Sequence, residues 1–331
     1  IITVDVGITA IAAVEYCNSV GLDIIITDHH LAKDELPKAV AVLNPNKGCC
    51  SSQLQQLCGT GVAFYLVLGL RTKMRELKLL GNNEFNPKSL LDCFAIGTLT
   101  DLVPLVRENR VLVKHGLVEL AKTQRVGLRC LLQELGLWGR PLTSQDVAMR
   151  FAPKLNALSR MDKDLLPIDI FLETDEARAK ELVKEVIRCN ELRLSKQREA
   201  EAEACAMVGE VCEQPFIFVY SQNFHKGVVG LVATKLAQKY NVPCFIGSLS
   251  NGGKITGSAR RPKESDVNLT EALESAKDYL VASGGHSPAA GFSLMVEGVD
   301  GFMGAVKDYF NKYMDEHPVA PAEIFSDAQG A

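Results

Sequence analysis

Thr27-Asp28-His29-His30 closes an apolar run, Leu22-Asp23-Ile24-Ile25-Ile26, whose residue types predict a buried strand. A carboxylate and two imidazoles at the C-terminal end of a strand stand where open α/β sheets bind ligands. A second acid has the same setting upstream, in Ile1-Ile2-Thr3-Val4-Asp5-Val6-Gly7. A third, Asp101, ends the apolar stretch Gly97-Thr98-Leu99-Thr100 and is read as another strand end. If the three converge, Asp5, His29 and Asp101 are metal ligands: two carboxylates and an imidazole. That donor set shifts preference from Mg²⁺ toward Mn²⁺ and leaves positions open for water and substrate. Two ions sharing a bridging carboxylate, for which Asp5 is the candidate, would activate water against a phosphoester. His30 would then face a phosphoryl oxygen, and Asp28 would orient His29 from behind. Each residue alone has a plainer reading: helix capping or water binding for Asp-His-His, turn chemistry for Asp5. The combination, with helical patterns between, points to a metal.

Those side chains need a parallel sheet to bring them together. Helical spacing over residues 8–20, a short strand at 40–43 ending at Asn44-Pro45, and a helix from Gly59 to about Leu79 follow the first strand. Strand and helix alternating in this way predict a parallel sheet. Residues 106–172 read as mostly helical, with breaks at Gly136, Gly139-Arg140-Pro141 and Pro153. A long charged helix from Thr174 to about Glu210, capped by Thr174, has only a narrow apolar stripe and suits a spacer between two domains. From Pro215 a second, smaller α/β unit is expected. It has strands at 216–220 and 242–247, a helix at 225–240, a hairpin arm at 252–261, and a helix at 269–280.

The smaller unit carries the groups suited to a polyanion. Lys254, Arg260, Arg261 and Lys263 flank Gly257-Ser258-Ala259, where bare backbone could approach an oxyanion; the plain alternative is a solvated hairpin. Gly284-Gly285-His286 allows close backbone approach with an imidazole presented outward. His225-Lys226-Gly227 puts a His and a Lys at a helix start suited to phosphate, or caps that helix beside a tightly packed Gly230. Pro153 to Arg160, with Asn156, lacks a clear helical stripe and reads as a loop touching substrate or a neighbouring domain.

At 331 residues the chain should form two domains. A net charge of −4 leaves no global positive field, so any polyanion must be held by local basic clusters or by metal. Aromatics are only 6%, which argues against a long base-stacking platform. The ten cysteines form no Cys-x-x-Cys pattern and read as reduced thiols of a cytoplasmic protein. No apolar run approaches the roughly 20 residues that span a bilayer.

In order and spacing these segments resemble the DHH phosphoesterase superfamily, most closely its RecJ branch. Thr3-Val4-Asp5-Val6-Gly7, Thr27-Asp28-His29-His30 and Gly97 to Leu105 resemble its second, third and fourth motifs. Gly59 to Phe64, His225 to Gly230 and Gly284 to Phe292 also look like segments of that branch. The resemblance implies a DHH domain over residues 1–173 with its N-terminal part missing, a connecting helix at 174–212, and a DHH-associated domain at 213–315. Residues 316–331 would be a linker toward a missing C-terminal domain. It implies a 5′-to-3′ exonuclease on single-stranded DNA, acting in repair and recombination. Mn²⁺ or Mg²⁺ would sit in a two-ion site in a cleft between the domains. Asp5, His29 and Asp101 would hold metal, His30 would be catalytic, and Arg160, Ser258, Arg260 and His286 would contact DNA.

The family's first acidic motif should precede Ile1, so the polypeptide alone is expected to be inactive or nearly so. Lys154, Leu158 and Ser159 stand where the family usually shows Arg, Ala and Gly. A monomer is expected, with a single-strand-binding protein or a helicase as protein partner and no membrane association. Two rival readings are a phosphodiesterase for short oligoribonucleotides or cyclic dinucleotides, and a non-catalytic DNA- or protein-binding scaffold.

Overall fold

Three short strands form the sheet that carries the Asp-His-His segment. In the computed structural model, which describes residues 1–48, 54–81, 84–161, 165–212 and 214–317, β1 (Ile2–Val4), β2 (Ile25–Thr27) and β3 (Ala41–Leu43) pair in parallel in that order. β2 is shorter than the apolar run predicts, because Leu22 is 46% exposed and only the end of the run is buried. Helix α1 (Ile11–Ser19) connects β1 to β2, with Val14 packed on Ile24 and Ile26.

Helices α2 (Gly59–Glu76), α3 (Leu91–Thr100), α4 (Arg107–Leu120) and α5 (Val126–Glu134) follow. Here the sequence reading needs its main correction: Gly97 to Asp101 is the last turn of α3, with Asp101 as its C-terminal cap, and no strand ends there. The segment is apolar all round because α3 is buried, and a short apolar run does not distinguish a buried helix from a buried strand. Gly116 lets α4 lie against α3, since a Cβ there would overlap the Leu91 carbonyl oxygen.

A second correction concerns Pro153. It does not break the helix and no loop follows it: a π-helical turn at Asp146–Phe151 leads directly into α6 (Ala152–Arg160). The wide turn accommodates a proline that lacks an N–H and crowds the preceding turn. α7 (Pro167–Leu172) and the long α8 (Glu176–Val208) complete this region. The side chain that caps α8 is Asp175, whose Oδ1 accepts the Arg178 N–H at 2.8 Å, and not Thr174.

The chain divides into two compact units, residues 1–156 with 165–187, and 157–164 with 188–331. The division falls inside α8, not at its ends, and assigns Ala157–Asp164 to the second unit. Residues 318–331 of the expected linker lie outside the described residues, as do Cys49 and Cys50.

The second unit is built on a mixed five-stranded sheet, in the order β4-β5-β6-β8-β7. Its elements are β4 (Ile217–Ser221), α9 (Val229–Tyr240), β5 (Cys244–Leu249), β6 (Lys254–Arg260), α10 (Leu269–Ser275), β7 (Leu280–His286), β8 (Ala289–Met295) and α11 (Val299–Glu316). Successive β5 residues serve opposite faces, as the two-residue period of a strand requires. Cys244 and Ile246 join a core with α9, while Phe245 joins an aromatic core with Phe216, Phe292, Phe302 and Phe310. The expected hairpin arm is β6, which pairs antiparallel with β5 across the turn at 250–253 and is also paired on its other side with β8, so it lies inside the sheet. Among the described residues the cysteines are free, and burial pushes the Cys93 thiol up to about 12.

Candidate metal centre

The ends of β1 and β2 are stitched together so that Asp5 and the Asp-His-His segment emerge side by side. The Thr27 hydroxyl donates to the Thr3 carbonyl at 2.7 Å, and the Asp5 N–H donates to the Thr27 carbonyl at 2.9 Å. Asp5 then turns into the left-handed region, φ +65°, which an Asp tolerates better than most residues. From the β3 side, Asn44 Nδ2 donates to the His30 carbonyl (2.9 Å) and Asn46 Nδ2 to the His29 carbonyl (2.6 Å). The pattern of residue types gave no sign of the role of these two asparagines, which fix the His-His backbone from the segment that follows β3.

His29 stands at the centre. Its Nε2 lies 3.1 Å from Asp5 Oδ1 and 3.6 Å from Asp101 Oδ2. Asp5, His29 and His30 also offer one ligand atom each within 4.8 Å of one another. Ligands about 2.1 Å from an octahedral ion lie about 3 Å apart along an edge, so the His29 spacings suit a shared divalent cation.

Two glycines set the distance between the acids. A Cβ on Gly59, the first residue of α2, would overlap the Asp5 carboxylate; one on Gly97 of α3 would overlap Thr60. Asp5 can therefore rest on the start of α2, and α2 on α3, which ends at Asp101. The Gly59-Thr60-Gly61 segment also puts the positive end of a helix dipole beside Asp5.

Asp28 does a different job from the one the sequence suggested. It is 1% exposed, and Oδ1 accepts the His30 Nδ1 hydrogen (2.8 Å) with the N–H groups of His29 (2.8 Å) and His30 (3.2 Å). Oδ2 accepts the Ile8 N–H at 2.9 Å. The ring it orients is that of His30; His29 it holds only through the backbone. Burial alone would raise the Asp28 carboxyl, but those donors outweigh it and the net direction is down. The same bond, chiefly, raises the His30 imidazole. Asp101 goes the other way: burial raises it by more than the neighbouring His29 lowers it, and the Asp5 charge adds a smaller upward push. Negative charge is in excess here, as a cation site requires.

The residues expected to meet substrate divide between the units. Asn156, on α6, belongs to the first unit. In the second, Arg160 Nη1 donates to the Gly227 carbonyl at 3.2 Å, and Gly227 must be glycine because a Cβ would overlap the Arg160 carbonyl. Ser258 and Arg260 lie on β6 against Gly230, where a Cβ would come within 3.3 Å and 3.2 Å of their side-chain atoms.

His225 is not at the helix start. α9 begins at Val229, and the His225 ring Nδ1 accepts the Gly227 N–H at 3.1 Å, which orders the turn before it. The backbone of Gly257-Ser258-Ala259 is not bare either, being paired with β5 and β8; the missing Cβ of Gly257 makes room for the Phe292 ring. Gly284, Gly285 and His286 form the exposed end of the edge strand β7. Gly285 has φ +145° and lies tight against Ala289 and Ala290, while Gly284 faces open space.

Sequence reasoning missed Arg193 on α8. Its pKa is lowered by burial and then by the charge of Arg160, and the same two causes lower Arg260. Arg193 is held by Asn190 and Gln197; among the described residues it pairs with no carboxylate, and its Nε is buried without a hydrogen-bond partner. Nothing distinguishes it from the other cations of α8 in sequence.

Residues 1–98 match the DHH family, N-terminal domain, and residues 213–312 match the DHHA1 domain. A solved exonuclease RecJ bound to manganese superposes with a TM-score of 0.80 at 31% identity, over 96% of this chain and 77% of that one. The chain belongs to the DHH phosphoesterase superfamily, in its RecJ branch. Among curated relatives, the single-stranded-DNA-specific exonuclease RecJ of Bacillus subtilis is 34% identical over 98% of this chain and 40% of its own length. That of Dickeya dadantii is 32% identical over 95% of this chain and 57% of its own length. The chain thus spans about half the length of these relatives. In this DHH chain the match to the N-terminal domain includes Asp5 and the Asp-His-His segment and ends just before Asp101. Among the described residues no helix is long and apolar enough to cross a membrane.

Proposed function

We propose that the chain is the core of a metal-dependent exonuclease that hydrolyses single-stranded DNA from its 5′ end, in DNA repair and recombination. The observation that carries this reading is the contact of one imidazole, His29, with two carboxylates from separate elements, Asp5 and Asp101. The RecJ relatives act on single-stranded DNA, and one is solved with manganese.

Asp5, His29 and Asp101 would hold a divalent ion, Mn²⁺ or Mg²⁺, and Asp5 would also serve a second. Bound there, the ion supplies an activated water and neutralises charge developing on the phosphoester. His30, fixed through Nδ1 by Asp28, presents its other nitrogen to a phosphoryl oxygen. Arg160, Arg193 and Arg260 supply positive charge to the DNA backbone and Ser258 a hydroxyl donor, and Asn156, His225, Gly284, Gly285 and His286 make further substrate contacts.

The test is Mn²⁺-dependent release of nucleotides from single-stranded DNA by the chain joined to the family's acidic first motif ahead of Ile1, beside a His29→Ala variant. Release that needs both Mn²⁺ and His29 is expected. Preference for dinucleotides over long single strands would move the reading to the short-oligonucleotide relatives, and release unaffected by His29→Ala would end it.

A further inference from the structure

Away from the metal centre, α4 borders a groove whose chemistry differs from the acidic character of the whole chain. The groove encloses about 760 Å³ between α4 and residues 139–142 and 144. Its floor is aliphatic: Val113, Leu117, Val118 and Ala121 recur at helical spacing along one face, and Val118 is 56% exposed. Its rim is cationic, formed by Arg110 and Lys114 on α4, Lys122 just past the end of α4, and Arg140 from the loop; no Asp or Glu lines it.

Two of these cations already have acids. Lys122 Nζ is 3.3 Å from Glu119 and Arg140 Nη2 is 2.6 Å from Asp146. Arg110 and Lys114 make no side-chain hydrogen bond or ion pair among the described residues. Their positions serve the helix poorly. They are like charges four residues apart, which repel, and Arg110 lies near the N-terminal end of α4, where the dipole disfavours a cation. The last turn of α4, where cations would help, has none. A local rule broken without local gain marks a position kept for something outside the helix.

We propose that this groove docks an acidic peptide segment of a partner protein, one that alternates carboxylates with apolar side chains. The carboxylates pair with Arg110 and Lys114, for which the guanidinium offers two-pronged hydrogen bonding. The apolar side chains cover Leu117 and Val118. Nucleic acid fits the same charge but not the floor: no aromatic ring lines the groove to stack a base, and aliphatic surface offers a phosphate nothing.

The experiment is fluorescence anisotropy of the full chain with a short labelled peptide of alternating Asp and Leu, at about 0.15 M salt. Saturable binding is expected, weakened at least about tenfold by Arg110→Glu with Lys114→Glu, and equally by Val118→Asp. An all-Asp peptide should bind at least about tenfold more weakly than the alternating one. Unlabelled oligo-dT should not displace the probe. Should the charge-reversed chain fail to fold, Arg110→Gln with Lys114→Gln gives the same comparison. Absence of binding, binding indifferent to these substitutions, or displacement by oligo-dT more readily than by unlabelled peptide would each overturn the proposal. None of these outcomes depends on the metal centre.

Discussion

The metal corner of the first unit and the arginine cluster of the second are incomplete in opposite senses. Around His29, Asp5 and Asp101 bring negative charge together, and burial, chiefly, holds Asp101 above its ordinary value. Around Arg160, burial and like charge lower Arg193 and Arg260, which pair with no carboxylate among the described residues. Elsewhere the same chain completes its buried charges. Asp28 accepts four hydrogen bonds, and Asp146 is held by Thr143, Arg140 and Arg150. Both have their carboxyls held low. Uncompensated partly buried charge costs stability, so its persistence at two places marks where a ligand of opposite charge is to be met. By charge, one corner suits a cation and the other an anion.

The largest effects should come from the metal corner. His29→Ala removes the central donor, and Mn²⁺ affinity measured calorimetrically should fall by about 100-fold or more, above the range for groups that only orient a ligand. Gly59→Ala is the sharper test, because the residue carries no donor at all. Its Cβ would displace the Asp5 carboxylate, so affinity should fall by about 10- to 100-fold, while overpacking costs only about 1–3 kcal/mol of stability. Mn²⁺ binding unchanged by Gly59→Ala would show that Asp5 need not rest against α2.

Asp28→Asn separates completed charge from incomplete charge. The amide cannot accept as the buried carboxylate does, leaving donors unpaired, and a loss of about 1–3 kcal/mol in denaturant unfolding is expected. Mn²⁺ affinity should fall less than in His29→Ala, since Asp28 touches the His30 ring and the His29 backbone but not the shared ligand position. Equal losses in the two variants would make Asp28 a ligand in its own right.

At the arginine corner the expected effect is smaller and has a specific signature. If Arg193 meets a backbone phosphate, Arg193→Gln should flatten the logarithmic dependence of single-stranded DNA affinity on salt by about 0.7. Weakening should be similar across sequences, because phosphate contacts carry no base information. An unchanged slope would return Arg193 to the architecture of α8.

How much of this was legible beforehand depended on whether a signal was local. The Asp-His-His segment, the parallel strands and the long α8 follow from runs and periods within a few residues. Asp101 was found as a candidate but placed on the wrong element, since an apolar decapeptide carries no period when every face is buried. The Pro153 helix was missed because a π turn absorbs the proline, a compensation no residue type announces. Arg193, Asn44, Asn46 and the role of Gly59 were invisible for a common reason: each matters only through what it touches from another element.

The smallest effect, Asp146→Asn, tests the completed side of the comparison and its sign. The Asp146 carboxyl is held below its ordinary value by the Thr143 hydroxyl and N–H first, then by Arg140 and Arg150, which outweigh its burial. A carboxyl with a depressed folded value stabilises the protein at neutral pH, above its unfolded value of about 3.9, and loses that contribution as pH falls through the folded value. Asp146→Asn should therefore lower the thermal midpoint at pH 7 slightly, within the roughly 1 kcal/mol of a partly exposed ion pair. Below about pH 3.9 the two midpoints should converge. Asp101, raised in the fold, contributes in the opposite direction until a cation compensates it. Saturating Mn²⁺ should thus raise the neutral-pH midpoint of both proteins equally, because the metal completes the one corner and leaves Asp146 as it was. A Mn²⁺ shift that changed with Asp146→Asn would mean that the two carboxylate systems are coupled.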